Sequence, residues 1–281
     1  MSMNGKICMV TGANSGIGKA TAIGLAKLNA KVIMICRDKE SGEITREEII
    51  NQTGNKNIDL FLCDLSSQEQ IRKLANEFSQ KYQNLHVLIN NAGIMLKNRI
   101  ECVDGFEMNF AVHVIAPFLL TLLLLDVLKK SAPSRVIIVG SAMHKMAKID
   151  FEDLQCESKK YRLNKVYGNS KLGEILIAYE LSRRLKGTGV SVNVLHPGVV
   201  ATNLGRDQSK FSQWFARKFF KSPEEGAETS IYLASSSEVE GVTGKYFINK
   251  EPRESSEESY NREYSKRLWE ICAEITGADI N

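Results

Sequence analysis

Tyr167 and Lys171 stand four residues apart and are the pair in this 281-residue chain best suited to moving a proton. On a helix that spacing puts both side chains on one face. An ammonium beside a phenol favours the phenolate, which lets a tyrosine exchange protons near neutral pH. Spacing alone is weak, because the two types fall four apart often by chance. The context is stronger: Ser141 closes the run Arg135–Ser141, which reads as a strand, and a hydroxyl there can donate to a carbonyl oxygen as charge develops.

A second chemical feature lies near the start. Thr11-Gly12-Ala13-Asn14-Ser15-Gly16-Ile17-Gly18 follows an apolar strand and opens a helix. Gly12 permits the tight turn, Gly16 lets backbone approach a pyrophosphate, and Gly18 lets the helix close on the strand. Amides at the helix N-terminus then face phosphate oxygens. An acid about 20 residues on would hold a ribose 2′-hydroxyl. Here the second strand ends Met34-Ile35-Cys36-Arg37-Asp38, with Cys36 where that acid belongs. Asp38 reads as the start of the next helix. Arg37, with Lys19 as a second cation, favours a 2′-phosphate and therefore NADP(H) over NAD.

These groups need elements to position them. Strands are expected at Lys6–Val10, Lys31–Cys36, Asn57–Cys63, Val87–Asn90, Arg135–Ser141, Ser191–His196 and Lys245–Ile248. Helices alternate with them: one to about Leu28, then Glu40–Asn51, Ser67–Tyr82, a long apolar one over Glu107–Lys130, Tyr167–Leu185 and Glu224–Ala234. Near-continuous Val/Ile strands alternating with helices predict an α/β fold with a doubly wound parallel sheet, seven strands in the order 3-2-1-4-5-6-7. The carboxyl edge of such a sheet binds ligands, and Ser141 and Tyr167 both belong there. The tail has a helix near Tyr260–Ile275, whose Leu268, Trp269, Cys272 and Ile275 should pack on the body. A single domain over 1–281 is expected, with that tail at about 252–281.

The hydrophobic share of 43% and charged share of 25% suit a globular core. A formal charge of +4 is spread along the chain, and its densest clusters (Lys159 and Lys160; Arg217, Lys218 and Lys221) are short. They read as solvated faces, so no nucleic-acid partner is expected. Six cysteines without a CxxC, several in apolar runs, read as buried thiols of a reducing compartment. The chain starts almost directly at a strand, and Phe118–Leu125 is too short to span a bilayer. A cytoplasmic location is expected. The four histidines (86, 113, 144 and 196) do not group with carboxylates at ligand spacing, so no metal is expected. His144 reads either as a border of the substrate cleft or as a surface loop residue.

The motifs together resemble the short-chain dehydrogenase/reductase family. TGANSGIG at 11–18, Asp64-Leu65, Asn90-Asn91-Ala92-Gly93, Ser141, Tyr167 with Lys171, and His196-Pro197-Gly198 match it in order and spacing. Cys36-Arg37-Asp38, the segment running from Leu85 into NNAG, Asp104-Gly-Phe-Glu-Met-Asn and Ser131-Ala-Pro-Ser-Arg are similar to its retinol dehydrogenase branch. The resemblance implies a single Rossmann-fold domain and hydride transfer between nicotinamide and an apolar carbonyl/alcohol pair, with Tyr167 as acid/base. It further implies that Asp64 and Leu65 contact the adenine, and that Asn90, Ala92 and Gly93 line the cofactor. Lys171 would also bind the nicotinamide ribose, and Pro197, Gly198, Val200 and Thr202 would hold the nicotinamide end.

One position departs from the family. Where it carries a catalytic Asn in the long helix, this chain has His113, as a relay group or as a satisfied core histidine. The family residue helps hold a relay water largely through its backbone carbonyl. Pro117, four residues on, has no amide hydrogen to bond that carbonyl, so it either leaves it free for the water or only kinks the helix. The family's substrate lid falls at about 204–222. There Phe211, Trp214, Phe215, Phe219 and Phe220 suggest a cover for an apolar substrate, peripheral membrane contact through 211–220, or ordinary packing. The family commonly forms homo-oligomers. The competing functional reading is a catalytically impaired nucleotide-binding regulatory or scaffold protein, supported only by His113.

Overall fold

Apolar residues fill the first strand without interruption, and β1 (Ile7–Thr11) is buried along nearly its whole length. It anchors a sheet in the computed structural model, which describes residues 2–200 and 221–278. α1 (Gly16–Lys27) follows, then β2 (Lys31–Cys36), α2 (Lys39–Thr53), β3 (Ile58–Leu62), α3 (Gln68–Lys81) and β4 (Val87–Asn90). Asp38 accepts the Ser41 amide at 2.8 Å and caps α2, so it starts that helix as its position suggested.

The stretch expected as one long helix is broken. α4 (Met108–Phe110) leads into a π-helical turn (Ala111–Ile115), then α5 (Ala116–Leu123) and α6 (Leu125–Lys130). Ala116 donates to Ala111, five residues back. Pro117 then sits in the first turn of α5, directly after the π turn. The helix widens just before the proline.

β5 (Ser134–Val139) is followed by a 3-10 turn (Ala142–Met146), α7 (Leu163–Arg184) and β6 (Val190–His196). α8 (Pro223–Ser235) opens with a Ser222/Glu225 capping box. β7 (Lys245–Ile248), β8 (Glu251–Arg253) and α9 (Arg262–Thr276) complete the order.

The sheet runs β3-β2-β1-β4-β5-β6-β7-β8. The seven expected strands keep their expected order and are parallel, while β8 joins the edge antiparallel to β7. Asn249 and Lys250, both at positive φ, make its two-residue hairpin turn. β8 is exposed, three residues long and contains Pro252, which an edge strand tolerates.

Two cores flank the sheet. One lies under α3, α5, α7 and α9 and holds Phe78, Phe118, Leu172, Tyr246 and Trp269; the other lies under α1, α2 and α8. The tail packs as expected: Leu268, Trp269 and Cys272 are buried, and Trp269 meets Phe118 edge to face at 4.8 Å. All six cysteines are free thiols, five of them buried. No helix among the described residues is long and apolar enough to cross a membrane.

Candidate active site

The glycine loop leaves β1 with Gly12 at φ +64° and enters α1 with Gly16 at φ +53°, a region that favours glycine. A Cβ on Gly18 would sit under 3.0 Å from the Gly12 carbonyl and the Asn91 amide, so only glycine lets α1 close on the strand. Ser15 precedes α1 without a side-chain cap bond. The first-turn amides therefore have no side-chain acceptor there and point to an anion. Asn14 donates to Ser41 at 3.0 Å and accepts from Thr45 at 3.1 Å, tying the loop to α2. Ile17 packs with Ala20 and Ala227, and Val200 lies against that cluster.

At the end of β2 the Cys36 thiol is buried, and burial pushes its pKa up to about 12. No acid occupies that position, and Arg37 lies exposed beside it. Lys19 does not join Arg37: its ammonium pairs with Glu48 on α2. Asp64 accepts from the Ser66 amide at 2.9 Å and hydroxyl at 2.7 Å through one oxygen. Leu65 is half-buried against the α7-side core.

The NNAG segment is tied to the glycine loop by residues that sequence reasoning passed over. Asn91 donates through its side chain to the Thr11 carbonyl at 2.7 Å. The Asn91 and Ala92 amides donate to the Thr11 hydroxyl at 2.9 and 3.0 Å. Both Thr11 and Asn91 stand within the matched motifs, but spacing along the chain assigns neither a role. Asn90, expected to line the cofactor, is buried and donates to Thr121 on α5 at 3.3 Å, so its side chain is committed to the core. Gly93 is exposed, and a Cβ there would meet His113 at 3.3 Å.

The chemical groups gather at the carboxyl edge. Ser141 caps the 3-10 turn that follows β5. Tyr167 lies one turn inside α7 and is 9% exposed. The Lys171 ammonium, 4% exposed, lies 5.8 Å from the Tyr167 ring centroid. It donates to the Val139 carbonyl at 3.0 Å and to Glu174 at 3.1 Å. Burial opposes its charge, and the Glu174 carboxylate outweighs that and raises its pKa.

His113 is fully buried, and its ring is satisfied on both sides. Nε2 accepts the Ile94 amide at 3.0 Å, so the proton belongs on Nδ1, which donates to the Ser170 hydroxyl at 2.8 Å. Ser170 donates onward to the Tyr167 carbonyl at 2.8 Å. Of the two readings of its side chain, the satisfied core histidine is the one that fits. His144 is neither cleft border nor surface residue. It is buried, donates from Nδ1 to the Ser141 carbonyl at 2.6 Å, and accepts the Ser256 amide at 3.0 Å.

Beyond β6, Pro197 is buried and Gly198 turns at φ +91°. Val200 and Lys221 meet as a parallel bridge, closed by the Lys221 amide on the Val199 carbonyl at 2.9 Å. Thr202 and all of the expected lid except Lys221 and Ser222 lie outside the described residues. Among the described residues no cluster of three or more His, Cys, Asp or Glu is placed to hold a metal ion.

A family profile described as short chain dehydrogenase matches residues 6–213. Retinol dehydrogenase 13 of Mus musculus is 44% identical over 97% of this chain and 84% of its own length. Retinol dehydrogenase 14 of Homo sapiens is 43% identical over 98% of this chain and 87% of its own. Among solved structures, a Pseudomonas aeruginosa RhlG/NADP complex superposes with a TM-score of 0.72 at 27% identity, covering 92% of this chain and 98% of that one. An uncharacterised protein from Mycobacterium paratuberculosis superposes at 0.81, also at 27% identity, over 100% and 96% of the two chains. Loop, serine, tyrosine and lysine thus sit in a chain that belongs to the short-chain dehydrogenase/reductase family and is retinol dehydrogenase-like.

Proposed function

We propose that this oxidoreductase is NADP(H)-dependent and interconverts an apolar carbonyl, retinal-like or another aldehyde or ketone, with its alcohol, using Tyr167 as general acid/base. The observation that carries this reading is the Lys171 ammonium held dry beside the Tyr167 ring at the carboxyl edge of the sheet.

The residues present fit a dinucleotide. Gly12 and Gly18 let the loop and α1 pack directly on Ala92 and Asn91, and Ser15 leaves the first-turn amides of α1 without a side-chain acceptor. Ser15, Gly16 and Ile17 would hold the pyrophosphate, Arg37 the 2′-phosphate, and Asp64 with its free oxygen the adenine. Ala92, Gly93, Pro197, Gly198, Val200 and Thr202 would hold the remainder. Bound there, the nicotinamide supplies or accepts the hydride.

The chain's own residues handle the oxygen. Ser141 donates a hydrogen bond to it, Tyr167 gives or takes its proton, and Lys171 favours the charged phenol. Peripheral membrane contact through 211–220, homo-oligomer formation and a cytoplasmic location remain part of the proposal, the last supported by six free thiols.

The test is a fluorescence titration with NADPH and NADH in parallel, followed by turnover on all-trans-retinal and other apolar aldehydes. NADPH binding with turnover that vanishes in Tyr167→Phe is the expected result. Tight binding without turnover on any carbonyl would favour the scaffold alternative.

A further inference from the structure

Behind the Tyr167–Lys171 pair lies a carboxylate that the mechanism above does not use. Glu174 follows Lys171 by one turn of α7 and is 3% exposed. Its Oε2 accepts from the Lys171 ammonium at 3.1 Å, while Oε1 is buried and has no hydrogen-bond partner in the protein. Oε1 lies against Gly140, the residue before Ser141, where a Cβ would come within 3.3 Å of it. A buried carboxylate oxygen left without a donor is costly unless it carries a proton or meets water.

Val194 of β6 and Tyr246 of β7 are register partners on the α7 side of the sheet, and His196 shares that face by alternation. The Tyr246 hydroxyl and His196 Nδ1 are also buried without a protein partner. His144 meets Tyr246 edge to face at 5.0 Å but is neutral and bonded at both nitrogens. Tyr179 also faces Tyr246, and His113 feels the Lys171 charge from the π turn with both of its nitrogens bonded. Lys171 is therefore the one cation facing the carboxylate among these groups.

We propose, on the reading of Tyr167 as acid/base, that Glu174 is a proton-holding positioning residue: it anchors Lys171 through Oε2 and stores the proton each turnover needs. In carbonyl reduction the Tyr167 O–H bond breaks and its proton goes to the substrate oxygen, while hydride goes to carbon. The phenolate recovers a proton at the expense of one Lys171 N–H. Lys171 recovers that proton as the Glu174 carboxyl O–H breaks, and the carboxylate takes another from water. One solvent proton is consumed per carbonyl reduced. Burial pushes the Glu174 carboxyl up to about 7, where it can both hold and release a proton at neutral pH.

Infrared titration of the full chain reads this without requiring turnover. A protonated-carboxyl carbonyl stretch titrating near pH 7, absent in Glu174→Gln and moved to higher pH in Lys171→Met, is expected. The direction in Lys171→Met follows because the ammonium holds the carboxyl down. In turnover, Glu174→Gln should lower kcat roughly 10-fold or more and remove the neutral-pH step from its profile, with KM little changed. No such band, or the same band in Glu174→Gln, would overturn the proposal and leave Glu174 a plain counter-ion. Full activity in Tyr167→Phe would instead overturn the acid/base reading on which the proposal rests.

Discussion

The imidazole of His113 stands edge-on to the ring of Tyr167, with centroids 5.5 Å apart and planes at 87°. Because both its nitrogens are bonded, this ring orients the tyrosine and the NNAG strap without exchanging protons. Burial and the nearby Lys171 charge hold its pKa well below the ordinary histidine range.

The same is true of its counterparts. Desolvation lowers the pKa of His86, His113, His144 and His196, the last to about 4. These are all four histidines of the chain. In the unfolded chain each binds a proton near pH 6.5, so between there and about pH 4 the unfolded state binds more protons and stability is lost as the pH falls. Glu174, raised to about 7, acts in the opposite sense as one group against four. Urea unfolding should give a lower free energy at pH 5.5 than at pH 7.5, by a few kcal/mol at most. An equal or higher value at pH 5.5 would show that the histidines do not outweigh Glu174.

Gly18→Ala should abolish or weaken dinucleotide binding and lower Tm by several degrees, because backbone and Asn91 both stand where the methyl group goes. NADPH titration with a melting curve checks it. An unaffected variant would mean that α1 is free to move away from β1.

Arg37→Asp should weaken NADPH binding roughly 10- to 100-fold and leave NADH binding nearly unchanged, since a charge-assisted pair with phosphate contributes about 1.5–3 kcal/mol. Parallel titrations decide between the two cofactors. Equal losses for both would remove Arg37 from the 2′-phosphate.

Much of the site is legible in order along the chain, because glycine turns, apolar strands and Tyr167–Lys171 spacing are local signals. The histidines are not, because their partners are remote in sequence: Ser256 for His144, Ile94 and Ser170 for His113. Glu174 reads as a polar helix position until α7 is seen to be buried nearly all round. The π turn is equally hidden, since Pro117 suggests a disturbance without saying whether the helix bends or widens. β8 carries no alternating pattern, and its pairing follows from the turn at Asn249 and Lys250.

Pro117→Ala restores an amide hydrogen four residues after His113, which can then occupy the His113 carbonyl. If that carbonyl serves a proton relay, kcat should fall across the pH range while Tm stays level or rises. An unchanged kcat profile would limit Pro117 to shaping the helix.

His144→Ala should cost about 2–4 kcal/mol, as expected for an emptied buried position with two lost partners. It should also speed tryptic cleavage at Arg253, near the Ser256 contact. Limited proteolysis beside a melting curve separates this from general loosening, which would open other sites equally.

The His144 tie between Ser141 and Ser256 also bears on how the protein is made. During synthesis Ser141, Tyr167 and Lys171 leave the ribosome well before Ser256, and α9 follows later still. A nascent chain that stops short of Ser256 carries the chemical groups but not the lock on the serine loop. Competence is therefore conferred by a stretch made well after the chemical groups themselves, so products truncated before Ser256 should bind nucleotide without holding Ser141 in place.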